Sequence, residues 1–305
     1  MPEHIKRSAM DTNTDLDTLD SRFDPDIYLK YGGTQEDQDI DLVLCAFAFA
    51  LLFYDKTDHG VVLERYAHHI KLLCDAVFQE HKIRLKQVDV EDDAALRVDV
   101  MQSVLYEEHG YIGDVEDYDH LQNASLLRVI DRRRGLPVTL SLLYTYVARK
   151  IGWDMQVLAL PGHIVCRMDV GADRILFDPF NACKILNAPD LRFIVKQALG
   201  NNAELSASYM EPASNREILI RLQNNIKQRQ MVAEDYEAAL KTVQMMQVID
   251  GDEYRLCLDA GVLYARNNQA LAAIRNLERY IEEAPYAENR RDAILLLNNI
   301  KESLN

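Results

Sequence analysis

The feature that most constrains this chain is a change of hydrophobic period. Leu136 to about Ile151 reads as one apolar helix, with Pro137 in its first turn and a stop at Gly152. From Asp154 to Phe180 the period drops to two. Met155, Val157 and Ala159 alternate along a first strand. Ile164, Cys166 and Met168 share one face of a second, with His163 and Val165 on the other. Ile175 to Asp178 make a third, and Asp169 to Asp173 form the hairpin turn before it. Three short antiparallel strands are marginal by themselves. A helix must cover them, so this stretch predicts a compact α+β core.

The flanks are helical. Residues 1–36 are polar and Asp-rich, and are expected to form a partly disordered tail. Asp37–Tyr54 and Gly60–Phe78 read as two helices around a turn-like DKTDHG, and Ala94–His109 as a third. The run Leu42–Tyr54 is thirteen residues long, well short of the roughly 20 that a membrane span needs. It predicts a buried core helix. Leu126–Arg134 should be a short helix closed by Gly135 in a left-handed cap.

Residues 201–214 look like a linker. Beyond them the chain repeats: Leu222 maps to Leu256, Ala239 to Ala273 and Leu240 to Ile274, each 34 residues on. That period is similar to the tetratricopeptide repeat. Gly261, Tyr264, Ala273 and Pro285 sit in the small, aromatic, small and helix-stop slots of the second copy, whereas the first copy has Lys227, Gln230 and Gly251 in the others. Two helical hairpins cannot bury a solenoid core alone, so they should pack on what precedes them. The expected division is a tail at 1–36, a helical region with the α+β core at 37–200, the linker at 201–214 and the repeats at 215–305.

A net charge of −15 opposes a nucleic-acid partner or an anionic membrane surface. The five cysteines, Cys45, Cys74, Cys166, Cys183 and Cys257, are unpaired in spacing, and the N-terminus lacks the apolar core of a signal peptide. Both fit a reducing cytoplasm. No zinc spacing is present, and the adjacent His68 and His69 point apart on a helix. The acidic loop 114–119 lacks the glycine of a calcium loop. It reads as a solvated face or as a partner for Arg132–Arg134, with a phosphate site on those arginines as the weaker alternative. No metal or cofactor is expected.

His163 on one strand and Asp178 ending the next have the residue types of a Cys-His-Asp site, in which the Asp orients the His and the His moves protons. The segments Asn123–Leu126, Val129–Tyr144, Pro161-Gly162-His163 and Asp178-Pro179-Phe180 together resemble the bacterial SirB-type family. That family joins a transglutaminase-like domain to tetratricopeptide repeats, and an animal F-box protein carries a related domain. Ala124 stands where the family has Ser, and Ile164 where Phe follows the His.

The resemblance implies a transglutaminase-like, papain-like helix-plus-antiparallel-sheet core. It also implies a thiolate at the start of the long helix, where the helix dipole and a His lower its pKa. Active domains of this kind resemble Cys, an apolar helix, then Arg-x-x-Gly. Laying Gly152 and Arg149 on that pattern puts Pro137 in the cysteine position. Ser141, Cys166 and Cys183 remain as displaced candidates for a nucleophile. The expectation is a pseudoenzyme that binds a protein or peptide; the alternative is an amide hydrolase or acyltransferase that uses His163 and Asp178 with a displaced nucleophile.

Overall fold

A computed structural model describes residues 23–53, 59–87 and 90–304. The first twenty-two residues of the expected tail lie outside it, as does most of the DKTDHG turn. The rest of the expected tail is not loose. Asp24 caps a helix, α1 (Pro25–Thr34), by accepting from the Ile27 N–H, and Pro25 occupies its first position. Tyr28 and Leu29 then bury themselves against later helices. The Asp-rich composition masked an N-cap and a buried stripe of Pro25, Tyr28, Leu29 and Gly32 at helical spacing.

The expected helix at 37 starts later. Asp37–Asp39 make one 3-10 turn, and Asp41 caps α2 (Leu42–Leu51), all ten residues of which are buried. Among the described residues no helix is long and apolar enough to cross a membrane. There follow α3 (His59–Arg84) and α4 (Ala94–Met101), which runs on into a π-helical stretch, Gln102–Glu108. Its wider turn ends by burying Tyr111 completely.

Next come the two-residue strand β1 (Ile112–Gly113), α5 (Leu126–Arg132) and β2 (Arg134–Gly135), which pairs with β1 in parallel. Here the expected cap is corrected. The left-handed residue is Arg133, with φ of 61°, and Gly135 is extended. Its lack of a Cβ matters for space instead, because one would press on Val129 and Leu140.

The core helix α6 (Pro137–Lys150) leads into an antiparallel sheet of β3 (Asp154–Leu160), β4 (His163–Val170), β5 (Asp173–Asp178) and β6 (Lys184–Leu186), in that order. The fourth strand was not foreseen; three residues carry no readable period. Ile164, Cys166, Met168 and Phe177 join the main core with α6. Leu158, Leu160 and Val165 pack on the other face against Leu191 and Val195 of α7 (Ala188–Leu199).

The segment 201–214 is no free linker. Pro212 bridges to Leu158, and the Ala213 N–H donates to the Val157 carbonyl at 2.8 Å, which closes the β3 edge. Helices α8 (Asn215–Val232), α9 (Tyr236–Ile249), α10 (Arg255–Arg266) and α11 (Ala270–Glu283) form two hairpins, and α12 (Ala287–Ser303) covers the last. Gly261 is where α11 comes closest, since a Cβ there would meet Leu277 at 2.7 Å.

The border at 215 is also not a clean break. Ile218, Leu219, Leu222 and Ile226 of α8, with Ile249 of α9, belong to the main core. Asp37 accepts from the backbone N–H groups of both Asn215 and Arg216, so an N-terminal residue caps a C-terminal helix. The unusual Lys227 is buried and paired with Asp259 of α10.

Candidate functional site

The start of α6 is held by a buried polar network. Asn123 is wholly buried, and its carbonyl accepts from the Leu136 N–H at 3.1 Å and the Thr139 hydroxyl at 2.8 Å. Its side-chain amide donates to the Asp117 carbonyl, and its side-chain oxygen accepts from Arg132. Arg132 also pairs with Asp114 at 2.8 Å. The acidic loop is thus partner to Arg132. Arg133 donates to His69 and Tyr111, so two of the three arginines are engaged inside the protein and do not build a phosphate site.

Pro137 takes the first helical position, and no side chain caps the helix. The proline supplies the φ the helix needs and leaves one fewer unpaired N–H. Arg149, at the other end, is held by the Met155 carbonyl, Asn215 and Gln156, tying α6 to β3 and α8.

The structure brings His163 and Asp178 together. His163 Nε2 lies 2.7 Å from Asp178 Oδ2. Asp178 is almost fully buried and also accepts from the Asn181 side chain and the Phe180 N–H. The Phe180 ring meets His163 edge to face at 6.0 Å and Tyr118 at 5.8 Å. These contacts fix the imidazole plane, with Nε2 engaged by Asp178.

His163 borders two clefts. One, of about 510 Å³, runs toward α7 and is lined by Asp178, Leu186, Phe193, Ile194 and Ala198 among others. The second, of about 270 Å³, holds Pro137 and Val138 of α6, Tyr118, and Arg221 and Asn224 of α8. They share Gly162 and His163. Gly162 has φ of 70°, and a Cβ would stand 2.9 Å from that of Ala198, so only glycine fits this turn. Pro137 and His163 therefore face the same space.

The displaced candidates do not reach it. Cys166 and Cys183 are buried in the main core and line neither cleft. Burial pushes the Cys166 thiol up to about 12 and the Cys183 thiol higher still, despite hydroxyls of Ser141 and Thr145 near the first and Tyr144 near the second. Cys74 rises to about 11 for the same reason, and Cys45 and Cys257 are also raised. Ser141 is fully buried one turn below Pro137, and its oxygen has no hydrogen-bond partner of normal geometry. Among the described residues no group of His, Cys, Asp or Glu could hold a metal ion.

Sequence reasoning missed Tyr118, Asn123, Arg221 and Arg229. Arg229 of α8 donates to the carbonyls of Tyr118 and Asp119, at 3.0 and 2.6 Å. It clamps the loop whose Tyr118 borders the cleft. Asn123 lay within the motif that carried the resemblance. The two arginines had no sequence signal, because α8 meets the loop more than a hundred residues away.

Comparison with known proteins agrees with this architecture. The transglutaminase-like superfamily matches residues 64–224, and a tetratricopeptide repeat matches 226–298. A UPF0162 protein of Xylella fastidiosa is 26% identical over 197 residues, covering 64% of this chain and 70% of that protein. A UPF0162 protein of Pseudomonas aeruginosa is 33% identical over 155 residues, covering 50% and 56%. Human F-box only protein 21 is 25% identical over 178 residues, covering 55% of this chain and 27% of that protein. No solved structure matches at a significant level. With one match spanning just over half of the chain and the sheet, helix and repeats in place, this protein belongs to the transglutaminase-like superfamily, in the bacterial SirB-type arrangement that continues into tetratricopeptide repeats.

Proposed function

We propose that this protein is a non-catalytic transglutaminase-like module that binds a segment of another protein in the clefts beside His163. The observation that carries this reading is Pro137. It occupies the first position of α6 and lines the same cleft as His163, where an enzyme of this build needs a thiolate. A proline offers no nucleophile. The repeats support a role in protein binding and add α8 as a wall of the cleft.

The second reading, an amide hydrolase or acyltransferase, is favoured by the intact His163–Asp178 hydrogen bond. Against it stand the burial and raised pKa values of Cys166 and Cys183 and the burial of Ser141. A general base must come within about 3 Å of the proton it takes, and these groups lie in the core instead.

The test is intact-mass spectrometry of the full chain after incubation with an activated ester and a thioester. No acyl adduct is expected at pH 7. An adduct that vanishes in Cys183→Ala, Cys166→Ala or Ser141→Ala, and also in His163→Ala, would establish the enzyme reading and end ours.

A further inference from the structure

We propose that the cleft between the start of α6 and α8 takes the side-chain carboxylate of an Asp or Glu within a bound protein segment, and that Arg221 pairs with it beside His163. This rests on the binding role proposed above and names the chemistry of the partner.

The charge in the cleft points to an anion. Arg221 lines it, is solvent-exposed, and makes no hydrogen bond or ion pair through its side chain among the described residues. Its helix neighbours differ: Arg216 is spent on the carbonyls of Gln35 and Ile249 and on Asp37, and Arg229 on the 118–119 loop. No aspartate or glutamate lines this cleft. Arg221 is therefore an uncompensated cation in a chain whose net charge is −15. A guanidinium suits a carboxylate because two parallel N–H groups can meet its two oxygens. Asn224 brings a further amide N–H donor to the same space. The start of α6 adds a field of the same sign, with no side chain capping it.

The geometry also favours an internal residue over a chain end. The two clefts share Gly162 and His163, so a segment lying in one continues into the other. The larger cleft, toward α7, is different in character. Its Lys184 is already paired with Asp190, and it offers Leu186, Ile194 and a largely exposed Phe193. An acidic residue with an apolar residue a few positions away along an extended chain matches both halves.

The experiment uses the full chain and fluorescein-labelled twelve-residue peptide pools, amidated at the C-terminus. The central position is fixed as Asp, Glu, Asn, Gln, Lys or phosphoserine. Fluorescence polarisation should show the Asp and Glu pools binding about tenfold tighter than the Asn and Gln pools. Arg221→Glu should abolish that preference and favour the Lys pool, while Arg221→Lys keeps part of it. Both should melt like the parent, because Arg221 is exposed. Replacing the amidated terminus with a free acid should change nothing.

Equal binding of acidic and amide pools, or a preference that survives Arg221→Glu, overturns the assignment while leaving a binding groove in place. No binding by any pool also counts against it. Tighter binding of the phosphoserine pool or of free-acid peptides overturns the side-chain carboxylate. Acyl-enzyme formation in the mass experiment would instead overturn the non-catalytic reading itself.

Discussion

Pro137 takes the first position of α6, where the proposed reading expects an active relative to carry its thiol, and placing a thiol there tests that reading. Pro137→Cys should place a sulfur at the positive end of α6 beside His163, with a pKa well below that of the five native thiols. Iodoacetamide at pH 7 should label it first, and adding His163→Ala should slow that labelling. A rate no faster than for an exposed cysteine elsewhere would show that neither dipole nor imidazole reaches position 137. His69 gives a second residue-level prediction. Burial and then the nearby Arg133 hold its pKa down at about 4, from an ordinary 6.5. The neutral ring is what the fold accepts, so its contribution to stability is full above pH 6.5 and is lost as the pH falls toward 4. The melting temperature of the parent should drop more steeply across that window than that of His69→Gln; equal slopes would remove His69 as the cause. His163, Asp178 and Pro137 were singled out by residue type and by the resemblance to the SirB-type family, and the structure sets His163 against Asp178 and in one cleft with Pro137. Arg221 and Asn123 were not, since their roles arise only when α8 and the loop before α5 meet the start of α6.

Among the elements, α6 and β3 to β5 follow directly from hydrophobic period, whereas β6 and α1 do not. β6 has three residues, too few to display alternation, and α1 hides two apolar anchors among acids. The cap of α8 shows the same limit. Ser214 and Glu217 form a capping box, and Asp37 adds two more bonds from a turn far away in the chain. Asp37→Ala leaves two backbone N–H groups without their acceptor. It should lower the unfolding free energy by about 1–3 kcal/mol, read from urea titration monitored by circular dichroism. Ser214→Ala should cost about 1 kcal/mol. A loss at Asp37 no larger than at a surface aspartate such as Asp252 would mean that the contact across the chain adds nothing.

The whole molecule behaves as one folding unit if the packing of α8 governs it. Ile218, Leu219, Leu222 and Ile226 are buried with the residues of α2 and α6, not only with the repeats. A chain ended at 214 would open that core, and an isolated 215–305 segment would expose the same side chains. Both pieces should be aggregation-prone, while the full chain should unfold in a single transition by heat and by urea. A stable, monomeric 215–305 segment would refute that coupling. The two family matches meet at residues 224 and 226, inside the unbroken helix α8. That helix therefore sets a phase as well as a distance. One residue inserted there would turn everything after it by about 100° and advance it by about 1.5 Å. Arg229 would swing off the 118–119 loop while Arg221 stayed in its cleft. The spacing from Arg221 to Arg229 is thus a rotational lock, and length changes should be far harder to accommodate here than in the turns between the repeats.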